Sequence, residues 1–259
     1  MSGSITLENR FGVNKMELIS LKYAIFVIVL LVLYYCFPKK YRWYVLLAGS
    51  MAYYVIICKW YVLFIIFTIC TTYGSTIWID KLLKKQNAIV KSHKEDWDRQ
   101  TRKDYKEKGR KKRVAVMLFA LLCNFGILAF LKYIPYAGEL GLLLPLGISF
   151  YTFQSMGYVM DVYREIVEPE KNFLKVALFV SFFPQIIQGP IAIYDKLAGQ
   201  LYEGHSLRLE NLQKGALLVL WGVMKKLVIA DRAVNIINFV MDKPMDFSGT
   251  YVFFAAVVY

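Results

Sequence analysis

Histidine is almost missing from this sequence: His93 and His205 are the two in 259 residues. His93 lies in a charged run between Lys91 and Lys94, the setting of a solvated imidazole, and His205 lies in a polar connector between Gly204 and Ser206. G-x-S-x-G, H-E-x-x-H, the P-loop and any paired-carboxylate pattern are missing as well, so these familiar catalytic motifs identify no reaction here. Cysteine is scarce. Cys36, Cys58, Cys70 and Cys123 fall inside apolar runs at separations of 22, 12 and 53, with no C-x-x-C pair and no Cys/His metal spacing. They read as small buried side chains, and no metal site is expected. Acidic residues are also few, 19 Asp and Glu against 32 Lys and Arg.

What is abundant is grease. The hydrophobic set makes up 58% of the chain, aromatics 16% and charged residues only 20%, with a mean hydropathy of +0.43. That composition excludes a disordered, collagen-like or disulfide-stapled chain. The apolar residues come in blocks about as long as a bilayer is thick, which predicts membrane spans and one polytopic domain over 1–259. The net charge of +13 is concentrated. Residues 81–113 hold 14 Lys and Arg against 5 Asp and Glu, a net +9 that leaves +4 for everything else. Only Trp97 and Tyr105 are available there to stack on bases, so a basic loop facing anionic lipid headgroups is expected, and no nucleic acid.

Residues 1–17 are polar and are not followed by a signal-peptide cleavage site. Leu18 to Phe37 is one span in length and stops at Pro38, Lys39, Lys40 and Arg42. Trp43 to Cys58 and Trp60 to Ile79 read as two spans joined by a tight turn at Lys59. Val114 to Leu131 follows the basic loop and closes at Lys132 and the turn around Pro135. Positive residues mark the inner side, which puts Lys39 to Arg42 and the 81–113 loop in the cytoplasm and Lys59 outside.

Leu140 to Met160 is too polar for a lipid-facing helix. Its second half carries Ser149, Tyr151, Thr152, Gln154, Ser155 and Tyr158. Polar groups left unsatisfied in hydrocarbon cost several kcal/mol, so these are expected to face a bundle interior or a wet cavity. Phe173 to Tyr194 is interrupted by Pro184-Gln185 and Gln188-Gly189-Pro190, which gives either a broken, re-entrant segment or a kinked helix. Gly215 to Ala230 is apolar except for Lys225 and Lys226, which either snorkel to an interface or bind an anion. The last run, Phe247 to Tyr259, is thirteen residues long. As a helix it reaches roughly 20 Å, short of the ~30 Å hydrocarbon core, so the natural protein is expected to continue.

Three ordered blocks resemble signatures of the membrane-bound O-acyltransferase family. The first is Leu144-Pro145-Leu146-Gly147-Ile148-Ser149-Phe150-Tyr151-Thr152-Phe153-Gln154, continuing through Tyr158 to Asp161-Val162-Tyr163-Arg164. The second, Phe183-Pro184-Gln185-Ile186-Ile187-Gln188-Gly189-Pro190-Ile191, is similar to the family's F-P-x-L-I-x-G-P block. The third is Gly222 with Lys225-Lys226 and Ile229-Ala230-Asp231, so the signature region runs over 144–232. Within the family the likeness is to the alginate O-acetylase branch.

The resemblance implies an all-α, polytopic transmembrane bundle with a broken or re-entrant segment, C-terminally incomplete. It implies an O-acyltransferase, by preference an O-acetyltransferase, of the bacterial plasma membrane. Such an enzyme moves an acyl group from a cytoplasmic thioester toward an extracellular polysaccharide. No cofactor is bound; acetyl-CoA or another acyl thioester is the donor substrate. The implied partners are membrane lipid, the acyl-CoA or acyl-carrier donor, and extracytoplasmic polysaccharide-acetylating proteins. In relatives a histidine in a W-R-x-W-H block serves as general base, and neither that block nor the aromatic Y-F-D-F-S-G-Y block occurs here. No catalytic residue is therefore assigned; His205 is a candidate only because it is available. The chain is expected to be a truncated and inactive form. Candidates for the substrate funnel are Tyr151, Gln154 and Tyr158, at spacings that share a helix face, with Gln185, Gln188 and Gly189 along the broken segment and Lys225 for a phosphate. The alternative from another class is a membrane transporter, which expects an internal repeat that is not seen, or a non-catalytic assembly component.

Overall fold

Apolar blocks bounded by prolines and charges give helices wherever the computed structural model describes the chain, which is over residues 21–93, 96–133, 145–242 and 244–258. The polar leader 1–17 with residues 18–20, the Pro135 turn, and the apolar block from Leu140 to Leu144, the first residue of the first signature block, lie outside the described residues. No strand occurs among the described residues, in keeping with the all-α expectation. The chain divides at His205 into two compact units, where the sequence alone reads as one domain.

The first unit begins with α1 (Leu21–Cys36) and α2 (Arg42–Cys58), joined through a short 3-10 turn at Lys39–Tyr41. Lys59, with φ of 48°, stops α2 and feeds a second 3-10 turn before α3 (Val62–Ser92), which is the turn expected between two spans. α4 (Arg99–Tyr133) pairs back along α3: Gln86 Nε2 donates to the Lys106 carbonyl at 3.0 Å and Asn124 Nδ2 to Thr71 Oγ1 at 2.9 Å, so the two run antiparallel. The basic stretch 81–113, read from its charge as a cytoplasmic loop between spans, is largely helical. Most of it is the far end of α3 and the near end of α4, with residues 93–98 between them. Lys, Glu, Arg and Gln are good helix formers, and the pairs Asp80–Lys84 and Glu107–Lys111 sit at helical spacing.

Two stretches are long and apolar enough to cross a membrane by length and composition, 39–92, which contains α2 and α3, and 99–133, which is α4. Only 33% and 22% of their most apolar windows are buried, unlike the core helix of a water-soluble domain. The rest of the unit is α5 (Ile148–Tyr163), α6 (Phe173–Ser181), α7 (Phe183–Gln188) and α8 (Tyr194–Tyr202). α5 packs against α3 and α4 on one side and against α6 and α7 on the other. Ile65, Ile69, Ile79, Met156, Val159, Val176 and Phe179 form the dry centre of this bundle.

The second unit holds α9 (Leu209–Met224), a π-helical turn at Lys225–Ala230, α10 (Asp231–Met241) and α11 (Gly249–Val258). Ile237, Val240 and Ala255 form its small core. On α9, Leu217, Leu218, Val219 and Leu220 are each more than 60% exposed, an apolar surface that a lone water-soluble helix pair would not present.

Candidate functional site

α5 starts where it does because of Gly147, its N-cap, whose φ of 69° is a left-handed conformation natural to glycine. The same residue permits close approach. A Cβ there would lie 2.5 Å from the Ile186 carbonyl oxygen, so the first signature block is clasped against the second by backbone contact. α5 ends in a Schellman motif: Ile166 N–H donates to the Asp161 carbonyl at 3.0 Å and Glu165 N–H to the Val162 carbonyl at 3.1 Å. Glu165 takes the left-handed position, φ 61°, and its carboxylate accepts from Arg113 of α4 at 2.8 Å.

Between these ends Tyr151, Gln154 and Tyr158 are all buried, and each meets a different neighbour. The Tyr151 ring lies edge-on to Tyr54 of α2 with centroids 6.3 Å apart. The hydroxyls of Tyr54 and Tyr151 and the thiol of Cys58 face one another, although no pair of them closes to ordinary hydrogen-bond geometry. Gln154 Nε2 donates to the Phe179 carbonyl of α6 at 2.8 Å. The Tyr158 hydroxyl accepts from the Glu170 N–H at 2.8 Å, and its ring stacks on Tyr194 of α8 at 4.1 Å.

The broken segment is built as its prolines require. α6, capped by Asn172 Oδ1 accepting from Leu174 N–H at 3.0 Å, stops at Phe182, whose ψ of 105° leaves the helical region. Pro184 then occupies the first turn of α7, where a missing N–H costs nothing. Gly189 is extended, ψ 158°, as the residue before Pro190 must be. The Gln185 amide donates to the Pro190 carbonyl and Gly189 N–H to the Gln185 carbonyl, so Gln185 ties the break to itself. The side chain of Gln188 lies outside the described residues.

Lys225 belongs to the second unit, where it is exposed at the start of the π-helical turn with its ammonium 5.2 Å from the Trp221 ring centre. His205 is held by structure. Its backbone N–H donates to the Tyr34 hydroxyl at 3.3 Å, its carbonyl accepts from the Arg42 guanidinium, and its Nε2 lies 3.0 Å from the Gln200 carbonyl. The neighbouring Gly204 presses on the Lys39 carbonyl, where a Cβ would come within 2.4 Å. These contacts give His205 the part of a pin between the connector and the α1–α2 corner. Beyond the apolar stretches, Tyr202 donates to the Lys175 carbonyl at 2.8 Å, and burial pushes its phenol well above the ordinary value.

Ser155, expected to face the interior, carries a buried hydroxyl without a hydrogen-bond partner among the described residues, and so does Ser181, which sequence reasoning does not single out. On α3 the buried Thr68, Thr72, Ser75 and Thr76 form a small polar stripe. Thr72 Oγ1 donates to the Thr68 carbonyl at 2.6 Å and Thr76 Oγ1 to the Thr72 carbonyl at 2.9 Å. The spacing of four was the available signal. No group of three or more metal-ligating side chains occurs among the described residues.

Comparison with known proteins gives relatives of one chemistry. A peptidoglycan O-acetyltransferase of Helicobacter pylori is 31% identical over 170 residues, 51% of this chain and 32% of that protein. A probable alginate O-acetylase of Pseudomonas syringae pv. tomato is 40% identical over 89 residues, 34% of this chain and 17% of that protein. One of Azotobacter vinelandii is 34% identical over 114 residues, 44% of this chain and 21% of that protein. The matched region thus spans about a third or less of each of these relatives. No family model and no solved structure matches the chain.

Proposed function

We propose, from the premise that this chain is related to the membrane-bound O-acyltransferases of the alginate O-acetylase type, that it forms the polar-lined helical part of such an enzyme in a bacterial cell membrane, crossing it several times. The enzyme moves an acyl group, by preference acetyl, from a cytoplasmic thioester toward an extracellular polysaccharide. In that reaction the acceptor hydroxyl oxygen bonds to the thioester carbonyl carbon and the C–S bond breaks. The sulfur leaves as a thiol, taking up the proton that the hydroxyl gives to a base.

One observation carries the reading. The run matched by the signature folds as a helix whose polar side chains, Tyr151, Gln154, Ser155 and Tyr158, are buried against a helix broken at Phe182. A bundle that served only as an anchor would lose nothing by apolar residues there, and buried hydroxyls short of partners each cost about 1–3 kcal/mol. Phenols and serine hydroxyls in this interior can donate to a carbonyl oxygen or order a water beside it. Gln185 and the Gly189 backbone carry amide groups along the broken segment, Gln188 is proposed with them from its place in the F-P-Q-I-I-Q-G-P block alone, and Lys225 of the second unit offers a point charge for a donor phosphate. We assign no general base among these residues: the family's W-R-x-W-H block does not occur in the sequence, His93 stands in the charged stretch beside Ser92, and His205 Nε2 lies 3.0 Å from the Gln200 carbonyl. We therefore assign these 259 residues the binding surface and not the proton transfer.

Radiolabelled acetyl-CoA offered to membranes carrying this chain tests the assignment. Label should reach polysaccharide only when a polypeptide with the W-R-x-W-H block is supplied alongside. Transfer by the chain alone overturns the missing base, and no transfer by the completed pair overturns acyl transfer itself.

A further inference from the structure

Where the paired helices α3 and α4 carry their charge, a polar cleft of about 520 Å³ opens between them and the end of α5. Lys103, Lys106, Arg110 and Arg113 project into it from α4 at spacings of three and four, which is one face of the helix. Gln86 borders it from α3 and Glu165 from the cap of α5.

The charges do not cancel. Glu165 is taken up by Arg113 at 2.8 Å, and Glu107, the other carboxylate at the rim, lies 3.6 Å from Lys111. Lys103, Lys106 and Arg110 make no ion pair among the described residues. Arg113 is nine-tenths buried, and its Nε has no hydrogen-bond partner among the described residues. The wall is rigid as well as basic. Gln86 is fastened to the Lys106 carbonyl at 3.0 Å and packs so closely on Gly109 that a Cβ there would lie 2.4 Å from Gln86 Oε1. A solvated basic loop has neither a fixed wall nor a buried guanidinium with a spare donor.

We propose that this cleft binds a phosphate-bearing anion through Lys103, Lys106 and Arg110, with Arg113 as its fixed floor. Fixed ammonium and guanidinium donors on one helix face suit the oxygens of a phosphate or diphosphate. Two sources share that chemistry, the headgroup of an anionic phospholipid and the diphosphate of a soluble acyl donor; the second source rests on the acyl-transfer reading.

The full chain in phosphatidylcholine nanodiscs, with and without phosphatidylglycerol, is titrated with coenzyme A and with inorganic pyrophosphate while binding is read by thermophoresis. Retained lipid is read in parallel by native mass spectrometry. Saturable binding in either arm is expected, and Lys103→Gln/Lys106→Gln/Arg110→Gln should weaken it by about tenfold or more. A charge-matched control, Lys85→Gln/Lys108→Gln/Lys112→Gln, should leave it within about twofold, since these residues do not border the cleft. Coenzyme A or pyrophosphate binding identifies the soluble source, and selective phosphatidylglycerol retention the lipid. Equal losses in the two triple variants, or no saturable binding in either arm, overturn the site. Neither readout depends on turnover, so a failure of acetyl transfer leaves this result intact.

Discussion

Gly147 has φ of 69°, and the Ile186 carbonyl oxygen lies 2.5 Å from where its Cβ would be. Alanine there would meet both the left-handed penalty and a backbone clash that no side-chain rotation relieves. Gly147→Ala should destabilise the first unit by about 1–3 kcal/mol, read as a lowered unfolding midpoint in detergent. Thr152→Ala, a truncation on the same helix, should cost less than half as much; equal losses would refute the clasp between α5 and α7. The glycine was visible inside the L-P-L-G run, and its partner was not, because Ile186 belongs to a block some forty residues away and no local pattern pairs them. The polar character of Tyr151, Gln154 and Tyr158 was legible from residue type and spacing alone. Their partners, a tyrosine, a main-chain carbonyl and a main-chain N–H from three other segments, were not.

Elements were easier to read than partners where proline or periodicity set them. The stop at Phe182 and the extended Gly189 follow from Pro184 and Pro190, each of which acts within a few residues of itself. The ends of α3 and α4 were harder. Their charges imitate a loop, although straight-chain Lys, Arg, Glu and Gln favour helix when acidic and basic residues fall four apart. On α3 the buried stripe has its own logic: Thr72, Ser75 and Thr76 return their hydroxyls to the helix's own carbonyls and, with Thr68, leave a surface low enough for close packing. Thr72→Leu should overpack that face and cost about 1–3 kcal/mol in reversible detergent unfolding, whereas Thr72→Ala should cost under about 1 kcal/mol. If leucine were tolerated as well as alanine, the stripe would have no part in packing.

At the scale of the molecule, the lengths of α3 and α4 decide more than their sequence. Thirty-one and 35 residues span about 46 and 52 Å, against a hydrocarbon core of about 30 Å. Neither fits inside a bilayer, and in each the surplus is the charged end, which holds the cleft between Lys103 and Arg113. The turn at Lys59–Tyr61 and the connection over 93–98 to the antiparallel α4 lie at opposite ends of α3. On the proposed membrane reading, a pair with one apolar half and one basic half is inserted with the basic half held back, since moving so many cations across hydrocarbon is far costlier than leaving them behind. Alkaline phosphatase fused at residue 59 should therefore be active and fused at residue 96 inactive, and a cytoplasmic fluorescent reporter should give the opposite pattern. Replacing Lys106, Lys108, Arg110, Lys111 and Lys112 by glutamine should weaken that asymmetry. If the phosphatase is active at residue 96 in the native sequence, the cleft faces away from any cytoplasmic thioester, and the donor source for its phosphate is lost while the lipid source stands.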